Sequence, residues 1–238
     1  MKTWEQQDDY GIKNYDTVKK KNILIIGNSH GYDLYKSFKL NSELFREFNF
    51  THVPRQIFCL SNNYASKEIC IKHNSDDFNI ILDKSDIIIL STKWSQLDAD
   101  NLQNIISDLK NKGKKIIIAN NTPEFEVIPK FGGIFTILDD FIYVNKRNYT
   151  DFDKSFLKEK YYSNQKDISI INNLLENLVK KNNLTLFDRY SLICNNANKS
   201  CLFMTDKNEK IIHDYGHFTL EGAKYIGIQI FNKKLYNF

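Results

Sequence analysis

Ser29, Asp214 and His217 are the residues whose types and surroundings could carry covalent chemistry. Ser29 follows Gly27 and Asn28, directly after the apolar run Ile23-Leu24-Ile25-Ile26, and precedes a helical pattern. A serine at a sharp strand-to-helix turn exposes its hydroxyl, and the free N–H groups at the helix start suit a developing oxyanion. Gly27 suits the backbone approach that such a turn needs. Near the other end, Asp214 precedes His217 by three residues, just ahead of another helix. His217 would accept the Ser29 proton, and Asp214 would orient the imidazole and stabilise its charged form. Singly, each has an ordinary use: a helix cap for Ser29, a turn for Asp214, a cap or surface position for His217. Their joint presence shifts the reading of Ser29 to a nucleophile. His30 is expected to pack beside the turn. His213 and His217 are spaced for a metal on one helix face, but Gly216 and Thr219 mark this stretch as a loop. Gly27 to Gly31 matches neither a dinucleotide fingerprint nor a phosphate loop.

The elements that must position these residues follow from apolar periodicity. Strands are predicted over residues 22–26, 52–60, 86–90, 115–120 and 184–187, with Pro54 suggesting an edge or bulge. Helices are predicted over 32–48, 75–85, 99–111, 151–162, 168–182 and 220–236, the last capped by Thr219 and the third ended by Gly113. Residues 134–148 are ambiguous. Five alternations predict an α/β chain: a three-layer αβα sandwich on a five-stranded, mainly parallel sheet. Such sheets work beyond the carboxyl ends of their strands, so Ser29, Asn62, Asn63 and residues 92–94 should share one edge. Residues 1–21 read as a polar arm and 22–238 as one domain.

With 238 residues, 42% hydrophobic and 26% charged, the chain has enough apolar material for one sizeable core. The net charge of +4 comes without a basic stripe interleaved with aromatics, which argues against a nucleic-acid partner. No apolar run approaches the ~18 residues of a membrane span. Residues 1–21 lack a signal core, so the chain as it stands is expected to be soluble and without an export address. The cysteines fit neither zinc ribbons nor Cys-x-x-Cys. Cys194 and Cys201 bracket the polar turn 195–200, a setting for a disulfide; Cys59 with Cys70 is a second candidate pair, and four reduced thiols are the alternative. The 13 Tyr and 17 Phe are expected mainly in the core, with some left to line a sugar site.

The motifs resemble those of the SGNH/GDSL hydrolase superfamily. Gly27-Asn28-Ser29-His30 resembles its first block, with Asn in place of the usual Asp, and Asp214-x-x-His217 resembles its last. The similarity is greater still to SGNH domains associated with acyltransferase-three membrane O-acyltransferases, through Gly27-Asn28-Ser29-His30, Asp188, Cys194, Cys201, Asp214, His217 and Glu221-Gly222-Ala223. The resemblance spans residues 22–236. It implies a flavodoxin-like SGNH hydrolase fold, a Ser29–His217–Asp214 triad and the Cys194–Cys201 disulfide. It also implies a carbohydrate acceptor, an acyl donor, and a membrane acyltransferase as partner or fused domain, with no metal or organic cofactor. A fused membrane portion would place the domain on the extracytoplasmic, periplasmic side; without one, the cytoplasm is the alternative. The implied activity is O-acetyl transfer to, or ester hydrolysis from, a cell-surface polysaccharide. Where the wider superfamily has an oxyanion-hole asparagine, this chain has Ser91-Thr92-Lys93-Trp94; Trp94 fits the acyltransferase-linked subgroup and is, with Asn62 and Asn63, a candidate oxyanion or substrate residue. Asn62 or Asn63 could join the Ser29 N–H as oxyanion donors, or simply form a turn. A carbohydrate-binding module without catalysis is the rival function, and a flavodoxin-like small-molecule binder a third.

Overall fold

The computed structural model describes residues 20–61, 70, 76–130, 133–145 and 150–238. Asn62, Asn63 and residues 1–19 of the expected arm lie outside the described residues. The chain runs β1 (Lys21–Gly27), α1 (Ser29–Lys39), β2 (Phe48–Pro54), α2 (Asp76–Lys84), β3 (Ile87–Ser91), α3 (Gln96–Asn111) and β4 (Lys115–Ala119). A small hairpin follows, β5 (Ile128–Lys130) and β6 (Gly133–Phe135), then α4 (Ile137–Asn145), α5 (Asp151–Ser163) and α6 (Ser169–Lys181). The last elements are β7 (Thr185–Phe187), the short strands β8 (Cys194–Asn195) and β9 (Ser200–Cys201), and α7 (Leu220–Asn232).

Five strands form one sheet in the order β2-β1-β3-β4-β7, and all four pairings are parallel. The near-continuous isoleucine runs are what a sheet covered on both faces requires. Successive side chains feed opposite cores. Ile23, Ile25, Ile87, Ile89 and Ile117 pack with Leu34 and Phe38 of α1 and with Ala223, Ile226 and Ile230 of α7. Leu24, Ile26, Ile88, Leu90 and Ile118 pack with α2, α3 and α6 through Ile81, Leu102, Ile105 and Leu175. This is the expected three-layer α/β architecture. Each fully buried aliphatic side chain contributes roughly 1.5–3 kcal/mol of transfer free energy.

Boundaries differ where periodicity misleads. Helix α1 ends at Lys39 rather than 48, because Phe48 and Phe50 alternate along β2, with Phe48 opposite Lys21. Strand β2 stops at Pro54, which has no N–H to donate, and Ile57–Leu60 is a 3₁₀ turn instead of more strand. Helix α3 starts at Gln96 rather than 99, where Ser95 and Asp98 form a capping box. Of the ambiguous stretch, residues 134–145 form part of β6 and α4, and residues 146–148 lie outside the described residues. All four cysteines are bonded, as Cys59–Cys70 and Cys194–Cys201.

Candidate active site

The turn after β1 is shaped by β3. A Cβ on Gly27 would lie 1.7 Å from the Ser91 carbonyl oxygen, and one on Gly31 2.3 Å from it. Only glycine allows the chain to turn this close to the neighbouring strand. Asn28 is the N-cap of α1: its Oδ1 accepts the His30 N–H at 3.1 Å and also the Lys93 N–H at 3.1 Å. Capping therefore falls to Asn28, and Ser29, the first residue of the helix, keeps its hydroxyl exposed and available. Among the described residues nothing accepts the Ser29 backbone N–H, so it stands free beside that hydroxyl.

The other two groups come from the bent loop before α7, whose base is closed by the Ile212–Phe218 bridge and by His213 N–H donating to the His217 carbonyl at 2.9 Å. His213 is thus on a loop and, like His217, lies beside Asp214. His217 Nε2 is 2.8 Å from Ser29 Oγ, and His217 Nδ1 is 2.8 Å from Asp214 Oδ2. Asp214 Oδ1 accepts the N–H groups of Gly216 and His217, each at 2.9 Å. Burial opposes the Asp214 charge, but these hydrogen bonds outweigh it and hold the carboxyl well below the usual range. For His217 burial lowers the pKa, and the Asp214 hydrogen bond and charge, with Asp33, raise it above the ordinary histidine value. An ionised carboxylate on Nδ1–H leaves the Nε2 lone pair facing the serine hydroxyl. That is the arrangement for taking its proton.

Three supports were not anticipated from the sequence. Asp33, one turn beyond Ser29 on α1, accepts the Phe218 N–H at 3.1 Å and so ties the His217 loop to the nucleophile's helix. Arg189, just after β7 and 2% exposed, lies beneath the site. Its guanidinium donates to the carbonyls of His30 (3.1 Å), Thr92 (2.7 Å) and Asn120, and to Ser91 Oγ (3.0 Å), joining the ends of β1, β3 and β4. Burial brings its pKa down to about 9. A polar residue pair closing a strand at the carboxyl edge, Asp188-Arg189, was the available signal. Lys93 forms an ion pair with Glu124 at 2.7 Å and lies 4.6 Å above the Tyr215 ring, which is 5.0 Å from the His217 ring. His30 is buried, as expected, with Nδ1 3.0 Å from Thr122 Oγ1 and its ring 4.8 Å from that of His217. Burial, followed by the Arg189, His217 and Lys93 charges, pushes its pKa down to about 3.

Trp94 requires a correction. Its ring is buried in the α2–α3 core, its Nε1–H donates to the Ala119 carbonyl at 2.6 Å, and its backbone N–H donates to Asn121 Oδ1 at 2.8 Å. Both donors are committed, so Trp94 supports the sheet edge and offers none to an oxyanion.

No helix among the described residues is long and apolar enough to cross a membrane. Comparison with curated protein sequences gives no match. Among solved structures, the periplasmic domain of a Salmonella ser. Paratyphi A lipopolysaccharide acetyltransferase is similar, with 19% identity, 91% of this chain and 84% of that one covered, and a TM-score of 0.67. A GDSL-like lipase from Bacteroides thetaiotaomicron VPI-5482 is more distant, at 13% identity and a TM-score of 0.45, with 90% and 89% covered. The family model described as the SGNH domain fused to AT3 domains matches residues 3–230, nearly the whole chain. With that match, and the parallel α/β sheet carrying a serine, a histidine and an aspartate at its carboxyl edge, the chain belongs to the SGNH-domain family fused to AT3 domains.

Proposed function

We propose that the protein transfers an acyl group, most simply acetyl, onto or off a carbohydrate hydroxyl through an acyl-enzyme on Ser29. The observation that carries this reading is the line Ser29 Oγ–His217 Nε2–Asp214, with 2.8 Å at each step. As Ser29 Oγ bonds to the acyl carbon, its proton passes to His217 Nε2 and the carbonyl oxygen becomes an oxyanion beside the Ser29 N–H. Collapse expels the donor's oxygen, which takes the proton from His217. An acceptor hydroxyl, or water, then gives its proton to His217 and attacks the acyl carbon; collapse breaks the bond to Ser29 Oγ, which takes the proton back from His217. Asp214 holds the imidazole tautomer and stabilises its charged form throughout.

Family membership supports an AT3 membrane domain, fused or separate, as the source of the acyl donor. The two disulfides suit an oxidising, extracytoplasmic compartment, and the Salmonella domain named above is periplasmic. A non-catalytic carbohydrate-binding module remains the second reading. It is favoured because both Trp94 N–H groups are committed elsewhere, which removes one candidate donor beside the Ser29 N–H, and loss of one donor costs roughly two to three orders of magnitude in rate. The test is p-nitrophenyl acetate turnover by wild type and Ser29→Ala, with mass spectrometry of the acetylated peptide. Ser29-dependent turnover and acetyl on Ser29 support the enzyme; equal rates and no adduct leave the binding module.

A further inference from the structure

Where β4 and β7 end, Asn120 and Asp188 open a cleft of about 440 Å³, walled on its other sides by residues 165–169, by 172, 173 and 176 of α6, and by Tyr190 and Asn196. The size is that of a small-molecule site. Tyr215 stands between the cleft and the triad: Lys166 on the cleft's rim has Nζ 5.8 Å from the centre of the Tyr215 ring, and that ring's centre is 5.0 Å from that of His217.

Its polar side chains are already held in place. Asn120 Nδ2 donates to Asp188 Oδ1 at 2.8 Å, and Asn172 Oδ1 accepts the Asn121 N–H at 3.0 Å. The Tyr190 hydroxyl sits between the side-chain amides of Gln165 (2.9 Å) and Asn196 (2.8 Å). Asn196 also receives the Tyr162 hydroxyl at 3.2 Å and stands on the hairpin clamped by Cys194–Cys201. Each of these bonds fixes one end of a side chain. The other ends, Asp188 Oδ2 and the amide NH₂ groups of Asn172 and Gln165, take no described partner and are not sealed from solvent. A fixed carboxylate acceptor next to fixed amide donors matches a ligand whose groups both give and receive hydrogen bonds, as sugar hydroxyls do. Asp167, Glu176 and Asp188 outnumber Lys166 among the lining charges, which disfavours an anionic ligand.

We infer that this cleft holds a neutral sugar residue of the acceptor glycan, one wall of it set by the disulfide-clamped hairpin. The assignment rests on the acyl-transfer reading above and places the acceptor along the β4–β7 side of the site. To test it, ¹⁵N-labelled protein is titrated with D-glucose, D-galactose, D-mannose and N-acetyl-D-glucosamine, and separately with D-galacturonate, while the side-chain NH₂ signals of Asn172, Gln165 and Asn196 are followed. At least one neutral sugar should shift these signals saturably and bind more tightly than galacturonate. Tyr190→Phe, which keeps the ring packed against the core and removes only the hydroxyl, and Asn196→Ala, at an exposed position, should each weaken that binding about two- to tenfold. Absence of shifts with every neutral sugar, tighter galacturonate binding, or unchanged affinity in both variants overturns the assignment. Ser29-dependent p-nitrophenyl acetate turnover is measured alongside. If turnover depends on Ser29 and the cleft is silent, only the cleft assignment fails; if turnover is independent of Ser29, the acyl-transfer reading itself fails.

Discussion

Asp33 accepts the backbone N–H of Phe218 at 3.1 Å from a position one helical turn past Ser29. The helix that presents the nucleophile thereby also holds the loop that presents the base. Its carboxyl is buried, which pushes its pKa up, with the Lys36 charge at 3.3 Å in opposition. Asp33→Ala leaves the buried Phe218 N–H without its acceptor, at a cost of about 1–3 kcal/mol, and should lower ester turnover by about one to two orders of magnitude. Asp33→Asn keeps an acceptor oxygen and should recover most of the loss. Turnover and thermal unfolding of the two variants check this, and equal loss in both would show that the charge, not the hydrogen bond, matters.

The pH dependence of turnover follows from His217. It acts as a base only when neutral, and its pKa is raised above 6.5 because the Asp214 hydrogen bond and charge outweigh burial. Turnover should therefore climb with pH through a midpoint above 6.5 and fall away on the acid side. Asp214→Asn removes the charge, moves that midpoint down, and should cut kcat by on the order of 10⁴, as in serine hydrolases with this arrangement. A kcat/KM profile across pH for both proteins is the measurement.

Arg189 is predicted to be a keystone for stability. Arg189→Met strands the carbonyls of His30, Thr92 and Asn120 in a buried site, and should destabilise the fold by at least about 3 kcal/mol. Arg189→Lys keeps the charge but not the planar fork and should recover only part. Urea unfolding gives both values; a loss under about 1 kcal/mol for the methionine variant would contradict this role.

Two histidines, His30 buried and His52 half-buried, predict acid sensitivity. Burial holds the pKa of His52 down to about 4, and burial with the Arg189 charge holds that of His30 down to about 3. Below pH 6.5 the unfolded chain binds these protons and the folded one does not, so stability falls as pH drops through this window. At pH 5 the loss is about 2 kcal/mol for each residue. His217 acts the other way: its contribution is complete below 6.5 and is lost as pH rises through its higher folded value. Unfolding free energies at neutral and acid pH, with His52→Gln removing about half of the difference, check the assignment.

The site was legible in the sequence where its logic is local. Gly27, Asn28 and Ser29 follow an apolar strand, and Asp214 and His217 share one short loop, so residue type and spacing carry the message. Helix α1 was misjudged at both ends because the capping choice between Asn28 and Ser29, and the switch from helical to alternating spacing at Phe48 and Phe50, depend on contacts with β3 and β1. The placement of Trp94 escaped the sequence for a related reason: its position in the chain follows β3, but the partners of its two N–H groups, Ala119 and Asn121, lie at and just past the end of β4.

Apolar runs alternating with amphipathic helices are enough to determine a parallel three-layer sheet, because burial on both faces demands them. Tertiary structure alone decided that Ser29 and His217, 188 residues apart, meet at 2.8 Å. It also decided that Arg189 joins three strand ends and that polar side chains from just past β4 and β7, from α6 and from the disulfide hairpin enclose one cleft. Strand order and the partners of buried polar groups are set by which faces pack together, and no local pattern encodes that choice.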